Sequence, residues 1–347
     1  LYTGVAGVLQ LRDARPGALV RGVAGWAWSE GTARGTLEGA LPFGGAAPDR
    51  SRWLATARVE RALASTNDFE APLGGSAGAG GGGFADDHDY VDRRAAAVGL
   101  TRELGSARTA AWRVELGATS DRLPVQHLQR ALLGTARMRP LRPVDEGTYG
   151  RAVAALDFGR QVTGDGMTAG LGGMAIVEQG LGALDFTRAE LRLRLRRQRG
   201  PLALAARLDG GALLGGAARP AQQLFEVGGV QGLPGYAYKE FAGDRAVVGR
   251  ALGLWTLPVL ARPLGRGRLT FPPIAPTLSA GLYAGWTDAG PVGRRALDAL
   301  DWRTTGGVRS TVDLRLRILG GAVSAGVARP LDRDGRWRVV TAFGGQL

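Results

Sequence analysis

The chain has 347 residues, of which 57 are Gly and none is Cys, with 45% hydrophobic content and a formal net charge of +13. The lack of Cys excludes disulfides, thiolate metal sites and Cys nucleophiles, and Gly at this level argues for strands and turns, since each interior Gly disfavours a helix by about 1 kcal/mol relative to Ala. All of the 44 basic residues except Lys239 are Arg, and they recur at alternate positions within apolar segments instead of clustering in a patch or on one helix face, which argues against nucleic acid as a partner.

Strands are expected at 2–12, 17–29, 31–43, 51–63, 93–104, 107–119, 148–160, 165–179, 183–198, 201–215, 245–258, 277–290, 305–318, 320–332 and 336–347. Their pattern is a two-residue period. In the second, Trp26 and Trp28 share the outward face near one end, where an aromatic girdle belongs. The third sets Leu37, Leu41 and Phe43 against Arg34, Thr36 and Glu38, and the sixth sets Trp112, Val114 and Leu116 against Arg113 and Glu115. In the ninth, Leu191, Leu193 and Leu195 oppose Arg192, Arg194 and Arg196; in the thirteenth, Val312, Leu314, Leu316 and Ile318 oppose Asp313, Arg315 and Arg317.

Alternation alone would also fit a soluble sandwich, whose strands average about five or six residues. Most of these segments run about ten to thirteen residues, the length a tilted strand needs to cross a bilayer with lipid on one side and a wet lumen on the other. The fold class expected is therefore all-β: a transmembrane antiparallel β-barrel occupying residues 1–347. Fifteen strands are read, and because bacterial single-chain barrels have even counts, sixteen are expected. No stretch of about eighteen uninterrupted apolar residues offers a membrane-crossing helix. Leu1 is not an initiator Met and no signal peptide is present, so the chain is expected to be a mature or trimmed piece whose upstream domains lie outside it.

Long connections at 64–92, 120–147, 216–244 and 291–304 fall on one side of such a barrel, and tight ones at 105–106, 161–164, 199–200 and about 319 on the other. The connection 259–276 is long where a short one is expected.

Motifs of catalysis have little support. "GGSAG" at 74–78 has the form of a nucleophile elbow, and 78–83 that of a dinucleotide-binding loop, yet neither is followed by a stretch able to form a helix. Asp86, Asp87, His88, Asp89 and Asp92 lack the spacing of a calcium loop and read as a solvated loop tip. With His127 the only other His and no Cys, no zinc site is expected. No cofactor, metal or enzymatic activity is expected.

Residues 225–244, "FEVGGVQGLPGYAYKEFAGD", break the alternation. Their glycines permit left-handed backbone and close approach, and Pro234 stiffens the tip. Tyr236, Tyr238 and Phe241 supply apolar contact, so the segment is built to tuck into the barrel. It resembles the sixth extracellular loop of the BamA/TamA-type outer-membrane assembly superfamily, also called the bacterial surface antigen family. Phe225, Gly228, Gly229, Leu233, Gly235, Tyr236, Gly243 and Asp244 stand at matching positions. Three further stretches extend the resemblance: "LYAGWTDAG" with Trp286, Asp288 and Gly290; "GAVSAGVARPLD" with Ala328 to Leu331; and the closing "WRVVTAFGGQL" with Trp337, Val339, Phe343 and Leu347 on one face. These motifs cover roughly residues 220–347, and the first 200 residues match in pattern alone. Where the family has an Arg in the loop that pairs with an acidic residue on a facing strand, this chain has Pro234. Arg250 stands where the family often has Glu, so a lumenal Asp288 is expected to pair with Arg250.

The resemblance implies an integral barrel of the bacterial outer membrane that inserts or translocates polypeptides without covalent chemistry, through a weak seam between its first and last strands. Gly344 and Gly345 would weaken the closing strand. Its implied partners are outer-membrane lipid, polypeptide clients and periplasmic or outer-membrane proteins. Two other readings stay open: a pore favouring anions through its lumenal Arg residues, or the membrane anchor of an upstream domain.

Overall fold

The computed structural model describes residues 2–11, 16–28, 30–44, 53–66, 89–104, 110–125, 141–159, 170–217, 219–258, 264–266, 269–271, 274–321, 323–332 and 335–343. Among them the strands are β1 (Tyr2–Gln10), β2 (Leu19–Ala27), β3 (Thr32–Phe43), β4 (Trp53–Ser65), β5 (Tyr90–Leu104), β6 (Ala110–Arg122), β7 (Gly147–Phe158), β8 (Gly170–Gly182), β9 (Phe186–Arg199), β10 (Leu202–Gly215), β11 (Phe225–Val227), β12 (Phe241–Gly243), β13 (Arg245–Thr256), β14 (Leu264–Arg266), β15 (Leu269–Phe271), β16 (Thr277–Asp288), β17 (Arg309–Ile318), β18 (Val323–Pro330) and β19 (Arg338–Phe343).

Fifteen of these form one antiparallel sheet in the order β1 to β10, β13, β16 to β19, and each corresponds to a segment expected from the alternation. The sixteenth strand expected from even counts is not found among the described residues. Nor does a ladder join β1 to β19 among them. β19 is the shortest member, pairing with β18 over the six residues from Arg338 to Phe343. Gly344 and Gly345 lie outside the described residues.

The distribution of side chains is the reverse of a soluble sandwich. Leu204 and Leu214 are 67% and 66% exposed, whereas Arg207, Asp209, Arg315 and Arg317 are 6%, 2%, 3% and 6% exposed. Such an arrangement is unfavourable in water for both groups of side chains; it is favourable where the outside is lipid and the inside is polar. The alternation of "LRLRLR" in β9 therefore encodes a lipid face of Leu191 and Leu195 and an inner face of Arg192, Arg194 and Arg196.

Besides 216–244, two connections hold structure that alternation does not reveal. Residues 291–304, expected as an irregular loop, begin with the helix α1 (Pro291–Ala299), with Pro at its first position and Gly290 as N-cap. Pro fits there because the first helical N–H has no intrahelical partner. In the connection 259–276, long on the short side, β14 and β15 pair as a small separate ribbon.

The main apolar core lies between the inner wall and one inserted segment. Leu224, Phe225, Val227, Leu233, Tyr236 and Phe241 pack with Phe186, Leu213, Val248, Leu252 and Tyr283 of the strands.

Candidate functional site

Residues 220–244 leave the end of β10 and return to the start of β13. A single 3-10 turn, Ala221–Gln223, is followed by the hairpin of β11 and β12, in which Phe225 pairs with Gly243 and Val227 with Phe241. Between the hairpin arms the chain makes a tip. Gly228 and Gly229 have φ of 133° and 92°, values that favour Gly. A Cβ at Gly228 would also lie 2.4 Å from the Ala237 carbonyl oxygen. The tip is closed by Leu233 N–H donating to Gly229 O at 3.0 Å and Tyr236 N–H donating to Leu233 O at 2.9 Å. Pro234, between them, is buried.

The wall accommodates the segment through missing side chains. A Cβ at Gly211 of β10 would lie 2.2 Å from the Phe225 ring, and one at Gly285 of β16 would lie 2.9 Å from Leu233. Both residues of the segment are fully buried. Arg188 of β9 lies over the Phe225 ring at 4.6 Å, and the rings of Tyr236 and Phe241 meet edge to face at 5.2 Å. Gly235 meets the neighbouring strands β17 and β18, where a Cβ would come within 2.7 Å of Pro330 N and 3.0 Å of Thr311 Oγ1.

Three guanidiniums of the wall hold the backbone of the tip. Arg250 of β13 donates to Gln231 O at 2.9 Å, Arg315 of β17 to Val230 O at 2.9 Å, and Arg338 of β19 to Gly235 O at 3.3 Å. Arg315 is also paired with Asp313 two residues earlier, and Tyr283 Oη donates to the same carboxylate at 3.0 Å. The cations that fasten this tip thus come from the strands, and Pro234 of the tip itself supplies none. Hydrogen bonds from ionised donors are about twice as strong as neutral ones. Tyr236 Oη donates to Asp332, just beyond β18, which also accepts from Arg309 at 2.7 Å and from the Ser310 N–H at 3.2 Å.

A buried ionic cluster sits at the base of the segment. Lys239 Nζ is 2.6 Å from Glu226 and 3.0 Å from Asp89, and it donates to Thr66 O at 3.4 Å. Arg142 pairs with Glu226, donates to Lys239 O at 2.6 Å, and lies over the Trp302 ring at 4.2 Å. Its backbone N–H donates to Asp89 at 3.0 Å. Two cations and two anions from connections far apart in sequence therefore close on each other. The sequence pointed to no association of the four, and Asp89, expected in a solvated loop tip, is instead 1% exposed. Asp92 is also engaged, accepting from Arg34 at 2.7 Å and Arg61 at 3.3 Å. The remaining members, Asp86, Asp87 and His88, lie outside the described residues, as do His127 and the "GGSAG" stretch. The signal that could have pointed to the cluster is the use of Lys at one position only, 239, in a chain otherwise restricted to Arg.

The expected lumenal pair is corrected. In the ladder between β13 and β16, Arg250 opposes Tyr283 and Asp288 opposes Arg245, five positions away. At about 3.3 Å per residue the two are too distant to pair. Alternation also places Ser279, Gly281, Tyr283, Gly285 and Thr287 on the inner face of β16, so Asp288 and Trp286 take the outer register. Arg250 uses its charge on Gln231 O instead. The acid that reaches this region is Asp244, at the end of the segment, which accepts the Gly290 N–H at 3.2 Å and lies 3.6 Å from Arg219. Gly290 caps α1, so a carboxylate borrowed from another element stands at the N-terminus of the helix, where it is worth about 0.3–1 kcal/mol. The small Gly243 lies against the same strand end, its Cβ position 2.4 Å from Asp288 O.

At the closing strand, Trp337 and Val339 are exposed and Val340 is buried. Phe343 pairs with Val323, and Leu347 lies outside the described residues.

No protein-family model and no curated protein sequence matches the chain. Among solved structures it is similar to BamA from Haemophilus ducreyi lacking POTRA domains 1–3, at 11% identity and a TM-score of 0.52, over 98% of this chain and 75% of that one. CdiB from Acinetobacter baumannii aligns at 10% identity and a TM-score of 0.46, over 98% of this chain and 55% of that one. In fold, the chain is an antiparallel β-barrel similar to that of BamA.

Proposed function

We propose that this barrel resides in the bacterial outer membrane and inserts or transports polypeptides there without covalent chemistry, with segment 220–244 as an internal strut that senses the closing strands. The observation that carries this reading is the tie between the tip and the end of the sheet. Arg338 of β19 donates to Gly235 O, and Tyr236 donates to Asp332 in the connection between β18 and β19. A displacement of the last strand would therefore strain the tip. The shortness of β19 and the fold shared with BamA support the same reading. The outer face meets lipid; clients and periplasmic or outer-membrane partner proteins belong to the proposal.

Reconstitution in liposomes tests it. The purified barrel is expected to accelerate folding of a urea-denatured small β-barrel client, and a variant lacking residues 230–238 is expected to lose that acceleration while still inserting. A large anion-selective conductance of the intact protein in planar bilayers, with no effect on client folding, would overturn the proposal in favour of a pore.

A further inference from the structure

Across β9, β10 and β13 the ladder puts Arg194 opposite Arg207 and Arg207 opposite Arg250, all three on the inner face. Like charges directly opposite one another are destabilising in a sheet, and here three stand in a row at mid-strand. Arg192 and Arg196 flank the row on the same face of β9. Five guanidiniums thus face one side of the lumen. The carboxylates beside them are Glu190, bound to Arg192 at 2.7 Å, and Asp209, bound to Arg207 at 2.7 Å. Arg250 is committed to Gln231 O. Nε and Nη2 of Arg194 are buried without a hydrogen-bond partner, as is Nε of Arg196. Buried donors of this kind carry a desolvation cost unless something accepts from them.

We infer that the row Arg194, Arg207 and Arg250, with Arg196 beside it, is a lumenal binding site for a small tetrahedral oxyanion of the phosphate or sulfate class. Planar guanidinium forks match such an anion bidentately, and two negative charges offset the repulsion along the row. The tip of the inward segment borders the site through Arg250, which favours a compact ligand over an extended chain. Occupancy would be coupled to the segment, because one guanidinium serves both. The inference does not depend on the proposed polypeptide transport.

The test uses the intact barrel in detergent, with sodium phosphate or sulfate against sodium chloride at matched ionic strength, followed by thermal unfolding and by titration calorimetry. Phosphate or sulfate is expected to raise the unfolding temperature of the unmodified protein. Arg194→Gln is expected to raise that temperature without added oxyanion, because it relieves the row, and to weaken phosphate binding about ten-fold, the loss of one charge-assisted contact. Arg194→Lys keeps the charge and loses the fork; it should retain the repulsion and bind with intermediate affinity. Should Arg194→Gln fail to fold, Arg196→Gln is read in the same way. Equal stabilisation by chloride, or phosphate binding unchanged in these variants, overturns the inference.

Discussion

Lys239 Nζ lies 2.6 Å from Glu226 Oε2 across the base of the inward hairpin, with the two side chains 6% and 2% exposed. Lys239 also holds a left-handed backbone, φ 51°, so the residue is placed there at a conformational cost. Its charge closes a cluster that includes Asp89 and Arg142. Breaking a buried pair by removing one partner is costly because the other charge stays buried. Lys239→Met is therefore expected to destabilise the segment by about 3–5 kcal/mol and to open it to protease. Limited proteolysis of the folded barrel, with cleavage mapped to 220–244, measures this. A protease pattern identical to that of the unmodified protein would show that the cluster does not anchor the segment.

Gly235 is the point at which the tip touches β17 and β18. A Cβ there would fall 2.7 Å from Pro330 N and 2.9 Å from Pro330 Cδ, both rigid atoms. Gly235→Val is expected to cost about 1–3 kcal/mol, as other overpacked positions do, and to break the contact of Arg338 with Gly235 O. Thermal unfolding gives the loss directly. The same substitution at Gly249, where the nearest atom is a leucine methyl at 3.8 Å, serves as the control and should leave the segment in place.

The strands were legible because a two-residue period is a local property: Leu191 to Arg196 states both faces of β9 without reference to any other residue. The tip was legible through its glycines, since φ of 133° and 92° at Gly228 and Gly229 is a requirement that composition reveals. Partners were not. Whether Arg250 meets Asp288 depends on register, and counting in twos from the apolar Leu278 and Leu282 places Asp288 on the outer face. The cluster of Lys239, Glu226, Asp89 and Arg142 joins residues as far as 150 positions apart, a distance that no periodicity spans. Helix α1 was hidden by its brevity, and its N-terminal carboxylate, Asp244, comes from a different part of the chain.

Asp332 gives the tip a pH dependence. Burial alone would raise its carboxyl, but hydrogen bonds from Arg309, Tyr236 and the Ser310 N–H outweigh this and hold it below the ordinary carboxylate value. The folded pKa is thus depressed relative to the unfolded one. Its stabilising contribution is complete above the unfolded value of about 3.9 and is lost as pH falls through the folded value. The unfolding temperature should drop more steeply below pH 4 for the unmodified protein than for Asp332→Asn, which has no such group to titrate. Parallel profiles would remove Asp332 from the account.

Pro234 offers the sharpest test of where the anchoring charge resides. In the superfamily this segment resembles, a loop Arg reaches toward an acid on the wall. Here Arg315 already sits on Asp313 and donates to Val230 O at 2.9 Å, with Arg250 and Arg338 on neighbouring carbonyls. A guanidinium introduced at 234 would join a tip already held by three others, with Asp313 already engaged by Arg315 and Tyr283. Pro234→Arg is therefore expected to destabilise the barrel, by about 1–3 kcal/mol on the scale of an uncompensated polar burial. Pairing it with Arg315→Ser leaves Asp313 with only the Tyr283 hydroxyl among the partners described and should recover much of the loss, giving a non-additive cycle of the kind expected for residues sharing one partner. Unfolding temperatures of the two single variants and the double variant supply the measurement. If Pro234→Arg alone stabilised the protein, the wall arginines would not be the anchors of the tip.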